Sequence, residues 1–174
     1  MSATAAPPKG LEFLPVLERK LGDRVTAREG LAADVPTLVT DAASLHETAR
    51  FLRDDPAAAY DLFLDLASAD LSRLPGPQAP KAGERFQANY ILYSTKRNAH
   101  LRLKVNLPEK EPSVPTLSDV WPAANWFERE VFDLLGIRFS DHPNLRRLLM
   151  PEDWQGYPLR FDHPIGGEEV GFTS

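Results

Sequence analysis

The sequence predicts an α+β fold: helices packed on one face of a mainly antiparallel or mixed sheet, then a further helix and an extended C-terminal docking tail. Three observations predict it. Apolar and polar residues alternate through three successive segments, the period of strands with one wet face. Two earlier segments carry apolar residues at helical spacing. After Met150, proline and glycine recur every few residues and no period is sustained.

In LEFLPVLERKLG, Leu11, Leu14, Leu17 and Leu21 share a helical face, Pro15 falls near the first turn, and Gly22 can close the end. Short strands are expected at Val25–Arg28 and Thr37–Thr40. Residues 44–55 read as a second helix. Ser44 and Glu47 make a capping-box pair, Leu45, Ala49 and Leu52 form the inner stripe, and Pro56 stops it. In YDLFLDL, Leu62, Leu64 and Leu66 alternate with Asp61, Phe63 and Asp65, so the leucines are expected to face the core. Phe86, Ala88, Tyr90 and Leu92 mark the next strand, and Leu101, Leu103, Val105 and Leu107 the last. KRNAH joins those two as a hairpin, and PGPQAPKAG is a loop that proline and glycine keep out of any ladder.

Beyond the linker PEKEPSVP, TLSDVWPAANWFEREVFDLLG reads as a helix capped by Ser118, with Pro122 in its first turn and Gly136 at its end. Val120, Phe127, Val131, Leu134 and Leu135 form its core stripe. Trp126 projects instead among Arg129, Glu130 and Asp133, a hint of a second contact surface. The chain thus divides into a flexible N-terminus (1–9), an α+β domain (10–117), a helix and loop (118–150) and a tail (151–174).

Composition narrows the function. No apolar run approaches the roughly 20 residues needed to span a bilayer, and MSATAAPPKG lacks the features of a signal peptide. Cysteine is absent, which removes disulfides, thiolate nucleophiles, cysteine-ligated zinc and ordinary iron–sulfur ligation. A net charge of −5 argues against nucleic acid as a partner. The imbalance is local: residues 118–174 hold 5 basic and 10 acidic side chains, against 15 of each in residues 1–117. That last third also holds all three tryptophans.

The densest stretch is DHPNLRRLLMPEDWQGYPLRFDHP, residues 141–164. Asp141, His142, Asp162 and His163 offer a mixed N/O ligand set, but the two DHP units stand 21 residues apart and no HExxH-type spacing exists. Glu128, Glu130 and Asp133 could supply carboxylates and either histidine a proton. The ordinary reading is caps and ion pairs, with Arg129, Arg146 and Arg147 placed in sequence to pair with them. His46 and His100 read as surface residues, and no nucleophile elbow, P-loop or dinucleotide fingerprint is present. No metal and no catalytic site is expected. Fixing the tail costs more entropy than burying Trp154, Tyr157 and Phe161 returns, which points to a partner surface.

The spacing of Glu128, Arg129, Glu130, Asp133, Leu134, Leu135, His142, Arg146, Leu148 and Leu149, continued by PEDWQGYPLRFDHP, resembles the 30 kDa subunit family, the C subunit of respiratory NADH–quinone oxidoreductase (complex I). The resemblance covers residues 121–164; Phe161 stands where a basic residue is frequent and His163 where an aromatic is frequent. It implies a peripheral-arm subunit, enzymatic only within its complex, that supports NADH-to-quinone electron transfer and proton translocation by holding the quinone module together. FMN and iron–sulfur clusters would lie on partner subunits and quinone at a neighbour, with none on this chain. The implied partners are a homologue of the D subunit and the iron–sulfur B and I subunits. The implied location is the cytoplasmic side of a bacterial inner membrane, reached only through the complex. Glu128, Arg129, Glu130, Asp133, His142, Arg146, Arg147, Trp154, Tyr157 and Arg160 would form the signature and interface. Trp154→Ala is expected to weaken assembly without unfolding residues 10–107. The alternative is the equivalent subunit of a membrane-bound hydrogenase or ferredoxin-dependent complex.

Overall fold

The alternating segments form the heart of a five-stranded mixed sheet with strand order β1-β2-β5-β4-β3. Its strands are β1 (Val25–Arg28), β2 (Thr37–Thr40), β3 (Leu62–Asp70), β4 (Glu84–Ser94) and β5 (Ala99–Pro108). A computed structural model describes residues 14–28, 35–76 and 80–164. Leu11, residues 1–9 and residues 165–174, on which some of the sequence expectations fall, lie outside the described residues.

β4 and β5 pair antiparallel over almost their whole lengths, with Tyr90 opposite Leu103. Asn98 takes a positive φ of 51° in the turn between them, a conformation asparagine tolerates better than most residues. β2 runs parallel to β5, with Leu38 beside Leu103. Helices α1 (Leu14–Leu21), α2 (Leu45–Asp54) and α3 (Ala124–Leu135) supply the other layer. Leu17, Leu45, Leu52, Phe86, Tyr90, Leu92, Leu101 and Leu103 are all essentially inaccessible, as the alternation predicts. Burying each such side chain contributes about 1.5–3 kcal/mol. Trp121, Val131 and Leu135 join the same cluster, so the core runs on across residue 117.

Four local expectations are corrected. In β3 the leucines do not share a face: a register shift between Phe63 and Asp65 inverts the phase. Phe63 and Leu66 turn inward, while Leu62 and Leu64 are exposed. One extra residue in an edge strand is enough to do this. The α2 N-terminus is served by Asp41, whose Oδ1 accepts the Ser44 N–H at 2.7 Å, and Ser44 makes no side-chain cap. Glu47, freed from a capping box, pairs with Arg24 at 2.9 Å. Ser118 does not cap α3 either. Residues 117–121 form a turn that inserts Trp121 into the core, with its indole N–H donated to Tyr60 O, and the helix starts only at Ala124. The expected linker contains β6 (Ser113–Pro115), which pairs in parallel with β7 (Arg138–Ser140) and locks the two ends of the α3 region together.

Candidate functional site

Helix α3 carries Glu128, Arg129, Glu130 and Asp133 of the signature, and the structure sorts the helix's side chains in a way charge alone does not suggest. Trp126 is 60% exposed and lies against the Arg129 guanidinium, 5.0 Å from its ring centre. Glu128 and Asp133, by contrast, are wholly inaccessible. The expected stripe is therefore partly polar: Phe127 and Leu134 are only half-buried, and two carboxylates take interior positions.

Asp133 is an anchor for the chain that follows. Its Oδ2 accepts three successive backbone N–H groups, from Leu148, Leu149 and Met150, at 2.7–2.9 Å. Its Oδ1 accepts Arg147 Nη1 at 2.6 Å. Burial pushes the carboxyl up, and these four donors outweigh that and hold it below the ordinary carboxylate value. Arg147 also donates to the carbonyls of Trp154 and Gly156, which fixes the chain seven to nine residues on. Arg129 donates to the carbonyls of Arg146 and Arg147, and Arg146 itself is exposed.

The strap formed by residues 141–164 next crosses the C-terminal end of α3. Leu159 N–H donates to Leu134 O and Arg160 Nε to Leu135 O, so two carbonyls that any helix leaves orphaned are satisfied. A cation at that end also complements the helix dipole. Tyr157 lies between Arg147 and Arg160, 5.6 and 4.4 Å from their guanidinium carbons. The strap passes so close to Gly136 that a Cβ there would sit 2.5 Å from the Tyr157 ring. Gly136 also has φ +72°, so glycine is required on two counts.

A second anchor lies at the sheet edge. Arg85 reaches Asp70 at 2.7 Å and Asp162 at 2.8 Å, and Asp70 Oδ2 also accepts the Phe161 N–H. Burial opposes the Asp70 charge, but Arg85 and the N–H groups of Ser72 and Phe161 hold the carboxyl far below its usual range. Arg73 donates to Phe161 O. Sequence reasoning missed Asp70, Arg73 and Arg85. Only the strand register brings Asp70 beside Phe86, and hence beside Arg85, so no local signal marks the pair.

The remaining residues distribute differently from a catalytic constellation. His142 donates from Nε2 to Asn125 O, Asp162 belongs to Arg85, and His163 packs against the Trp154 ring. Among the described residues no group of three or more His, Asp or Glu is placed to hold a metal ion. Glu130 borders a groove of about 240 Å³ with Leu66, Ala67, Leu134 and Leu159. His46, half-buried, contacts Asp119, and His100 is exposed beside Tyr93. Leu149, Leu159 and Phe161 are 60%, 57% and 45% exposed, so the fastened strap presents three large apolar side chains outward, among charged ones such as Glu152 and Asp153. Large apolar side chains left exposed on a fastened segment mark a contact surface. No helix among the described residues is long and apolar enough to cross a membrane.

Comparison with known proteins agrees with this picture. Residues 38–169 match the family described as "Respiratory-chain NADH dehydrogenase, 30 Kd subunit". The C subunit of NADH-quinone oxidoreductase from Roseiflexus sp. is 41% identical, the alignment covering 87% of this chain and 90% of that one. A C/D subunit of NADH-quinone oxidoreductase from Methylococcus capsulatus is 43% identical over 91% of this chain, which spans only 27% of that protein's length. Among solved structures, a trypsin-resistant fragment (1-134) of Nqo5 superposes with a TM-score of 0.62 at 29% identity, covering 75% of this chain and 97% of the fragment. An archaeal membrane-bound sulfane sulfur reductase chain shares the fold, with a TM-score of 0.71 at 21% identity over 90% of this chain and 86% of that one. With its signature helix, its anchored strap and a family match over most of its length, the chain belongs to the 30 kDa subunit family of respiratory-chain NADH dehydrogenase, the C subunit of NADH–quinone oxidoreductase (complex I).

Proposed function

We propose that the chain works as a peripheral-arm subunit without cofactor of its own, which supports NADH-to-quinone electron transfer and proton translocation by holding the quinone module together. One observation carries this reading. The strap is fastened from within by Asp133, Arg147 and the α3 carbonyls, yet leaves Leu149, Leu159 and Phe161 facing out, as Trp126 does on α3. A fastened segment that leaves three large apolar side chains exposed fits a partner surface better than solvent. The partner is a homologue of the D subunit, a choice supported by relatives whose names join C and D in one protein. The iron–sulfur B and I subunits, FMN and quinone belong to the rest of the complex, on the cytoplasmic side of a bacterial inner membrane. Catalysis resides in the assembly, and this chain has no turnover alone. Of the signature residues, Asp133, Arg147 and Arg160 act by shaping the strap, while Trp126 and the outward leucines, outside that set, touch the partner.

The test is affinity purification of the tagged full chain from detergent-solubilised membranes, with mass spectrometry of the retained proteins. A co-purifying D homologue with iron–sulfur subunits is the expected result. Recovery of the chain alone overturns the reading. A set containing hydrogenase or ferredoxin-dependent subunits in place of the NADH-binding ones assigns it to the related complex.

A further inference from the structure

Glu128 is the one buried carboxylate on α3 that the strap does not use. Its Oε1 accepts the Leu117 N–H at 2.6 Å and its Oε2 the Thr116 hydroxyl at 2.5 Å. The His142 ring lies beside it, Nε2 to Oε2 3.8 Å, and both side chains are fully buried. The imidazole is not a counter-ion here. Its Nδ1 accepts the Asn144 N–H, which only an unprotonated nitrogen can do, and its Nε2–H is donated to Asn125 O. Among the described residues the other ionisable groups facing Glu128 are Tyr90 of β4, buried with no hydrogen-bond partner on its hydroxyl, and Asp119 in the turn before α3. Asp119 is itself occupied by His46 and Arg50 of α2. Neither gives the carboxylate a positive neighbour, whereas Asp133 has Arg147 and Asp70 has Arg85.

The hydrogen bonds around Thr116 also form a short path to solvent. Thr116 Oγ1 lies 2.9 Å from Ser118 Oγ as well as against Glu128. Both hydroxyl residues line an open cavity of about 540 Å³, with His46 and Asp119 on its rim. A threonine hydroxyl has one hydrogen, so it can serve the carboxylate or the serine, and not both at once.

From this arrangement we infer that Glu128 is a reversible proton-binding site, filled from the cavity through the Ser118 and Thr116 hydroxyls. Thr116 passes its hydrogen to Glu128 Oε2 and takes the one from Ser118, which is replaced by a proton from water. The net change is one proton moved from solvent to a carboxylate, with both hydroxyl bonds reversed and no electrons transferred. The carboxyl then donates to Thr116, where the carboxylate had accepted. The Thr116–Leu117 turn and the DHP turn around His142 both pack on this group, so its charge is felt at the root of the strap. Burial raises the Glu128 pKa from 4.5 to about 7, against the opposing pull of the Thr116 and Leu117 bonds, which agrees with a site that fills and empties around neutrality. Proton binding of this kind needs no particular partner at the strap.

The experiment is an NMR titration of the full chain with 13C at the glutamate carboxyl and 15N in the histidine rings. One glutamate should titrate near pH 7, and that signal should vanish in Glu128→Gln. Over the same range the histidine 15N signals show whether His142 takes the proton instead. A glutamate set with no member above the ordinary range, or a near-neutral step that appears on His142 instead, overturns the assignment. Thr116→Val keeps the carboxyl and removes the hydroxyl path, so it gives a test even if Glu128→Gln does not fold. It should raise the midpoint further by deleting a donor to the carboxylate, and an unchanged midpoint and exchange rate refute the relay.

Discussion

In the β4–β5 hairpin every second side chain enters the core, and the opposite face is more open to water. In the strap no residue from 141 to 164 is fully buried except for the His142 side chain, yet the segment follows one defined path across α3. The hairpin is held by area, many apolar contacts each of modest value. The strap is held by a few charged hubs, each serving several partners at once: Asp133 takes three N–H groups and a guanidinium, and Arg147 reaches Asp133, Trp154 and Gly156. Distributed contacts fail gradually and hubs fail together, so the two regions should respond differently to single changes.

The largest effect is expected at Asp133. Asp133→Ala leaves Arg147 half-buried without its carboxylate and strips the acceptor from three adjacent N–H groups. Removing one partner of a buried pair costs about 3–5 kcal/mol. Because those donors all belong to the strap, the loss should open residues 145–164 to protease while hydrogen exchange in β4 and β5 stays slow. Equal loosening of the hairpin would show that the hub serves the whole fold and erase the contrast.

Leu103→Ala reads the other region. The side chain is inaccessible on the central strand, so a cost of about 2–5 kcal/mol is expected, spread over the global transition. Urea unfolding followed at the tryptophans and by far-UV dichroism should shift as one. A strap that detaches before the sheet in this variant would contradict the assignment of Leu103 to the shared core.

The same contrast sets what was legible beforehand. Period 2 revealed β4 and β5 because burial there is repetitive, and it misled at β3 because a single bulged residue exchanges the faces without leaving a trace in composition. The α3 boundaries were half legible: Gly136 announces its end through a left-handed φ, whereas the start is fixed by Trp121 entering the core, a tertiary event. The signature residues were visible as a spacing and Trp126 as a ring off the core stripe, but not the burial of Glu128 and Asp133, which runs against polarity. A buried carboxylate becomes intelligible only when its donors are known, and those donors lie 11–12 and 14–17 residues away in the sequence. The strap's path was illegible for the same reason: its partners are helix carbonyls and a strand-edge ion pair, neither of which has a side-chain pattern.

A pH series sharpens the comparison, since the apolar hairpin core does not titrate and the region at the strap's root does. An unfolded glutamate releases its proton near 4.5, whereas folded Glu128 holds it to about pH 7. The folded state therefore binds the extra proton between those values. Its contribution is complete below pH 4.5, falls as pH rises through the window and is gone above 7, a loss of up to about 3 kcal/mol. Asp133 and Asp70, held below the ordinary range, act in the opposite sense and weaken the fold only as pH drops beneath it. Urea midpoints from about pH 4.5 to 7.5 should decline in the parent chain and stay nearly level in Glu128→Gln. Parallel curves for the two would remove Glu128 from the explanation.

The smallest effect on folding, and the sharpest on assembly, is expected at Trp126. At 60% exposure its ring rests on the Arg129 guanidinium, and a surface truncation of this kind stays within about 0.5 kcal/mol. A large aromatic on a rigid helix, together with the outward leucines of a fastened strap, is nevertheless the kind of residue that dominates an interface. Trp126→Ala should thus leave the urea transition in place and reduce recovery of the D homologue in the pull-down. Trp154→Ala separates the two roles from the other side, because that ring is half-buried against His163 and its loss removes strap packing as well as any outward contact. If Trp126→Ala melts the fold and Trp154→Ala does not, the outward and inward faces of this region have been interchanged, and the hub account of the strap falls with them.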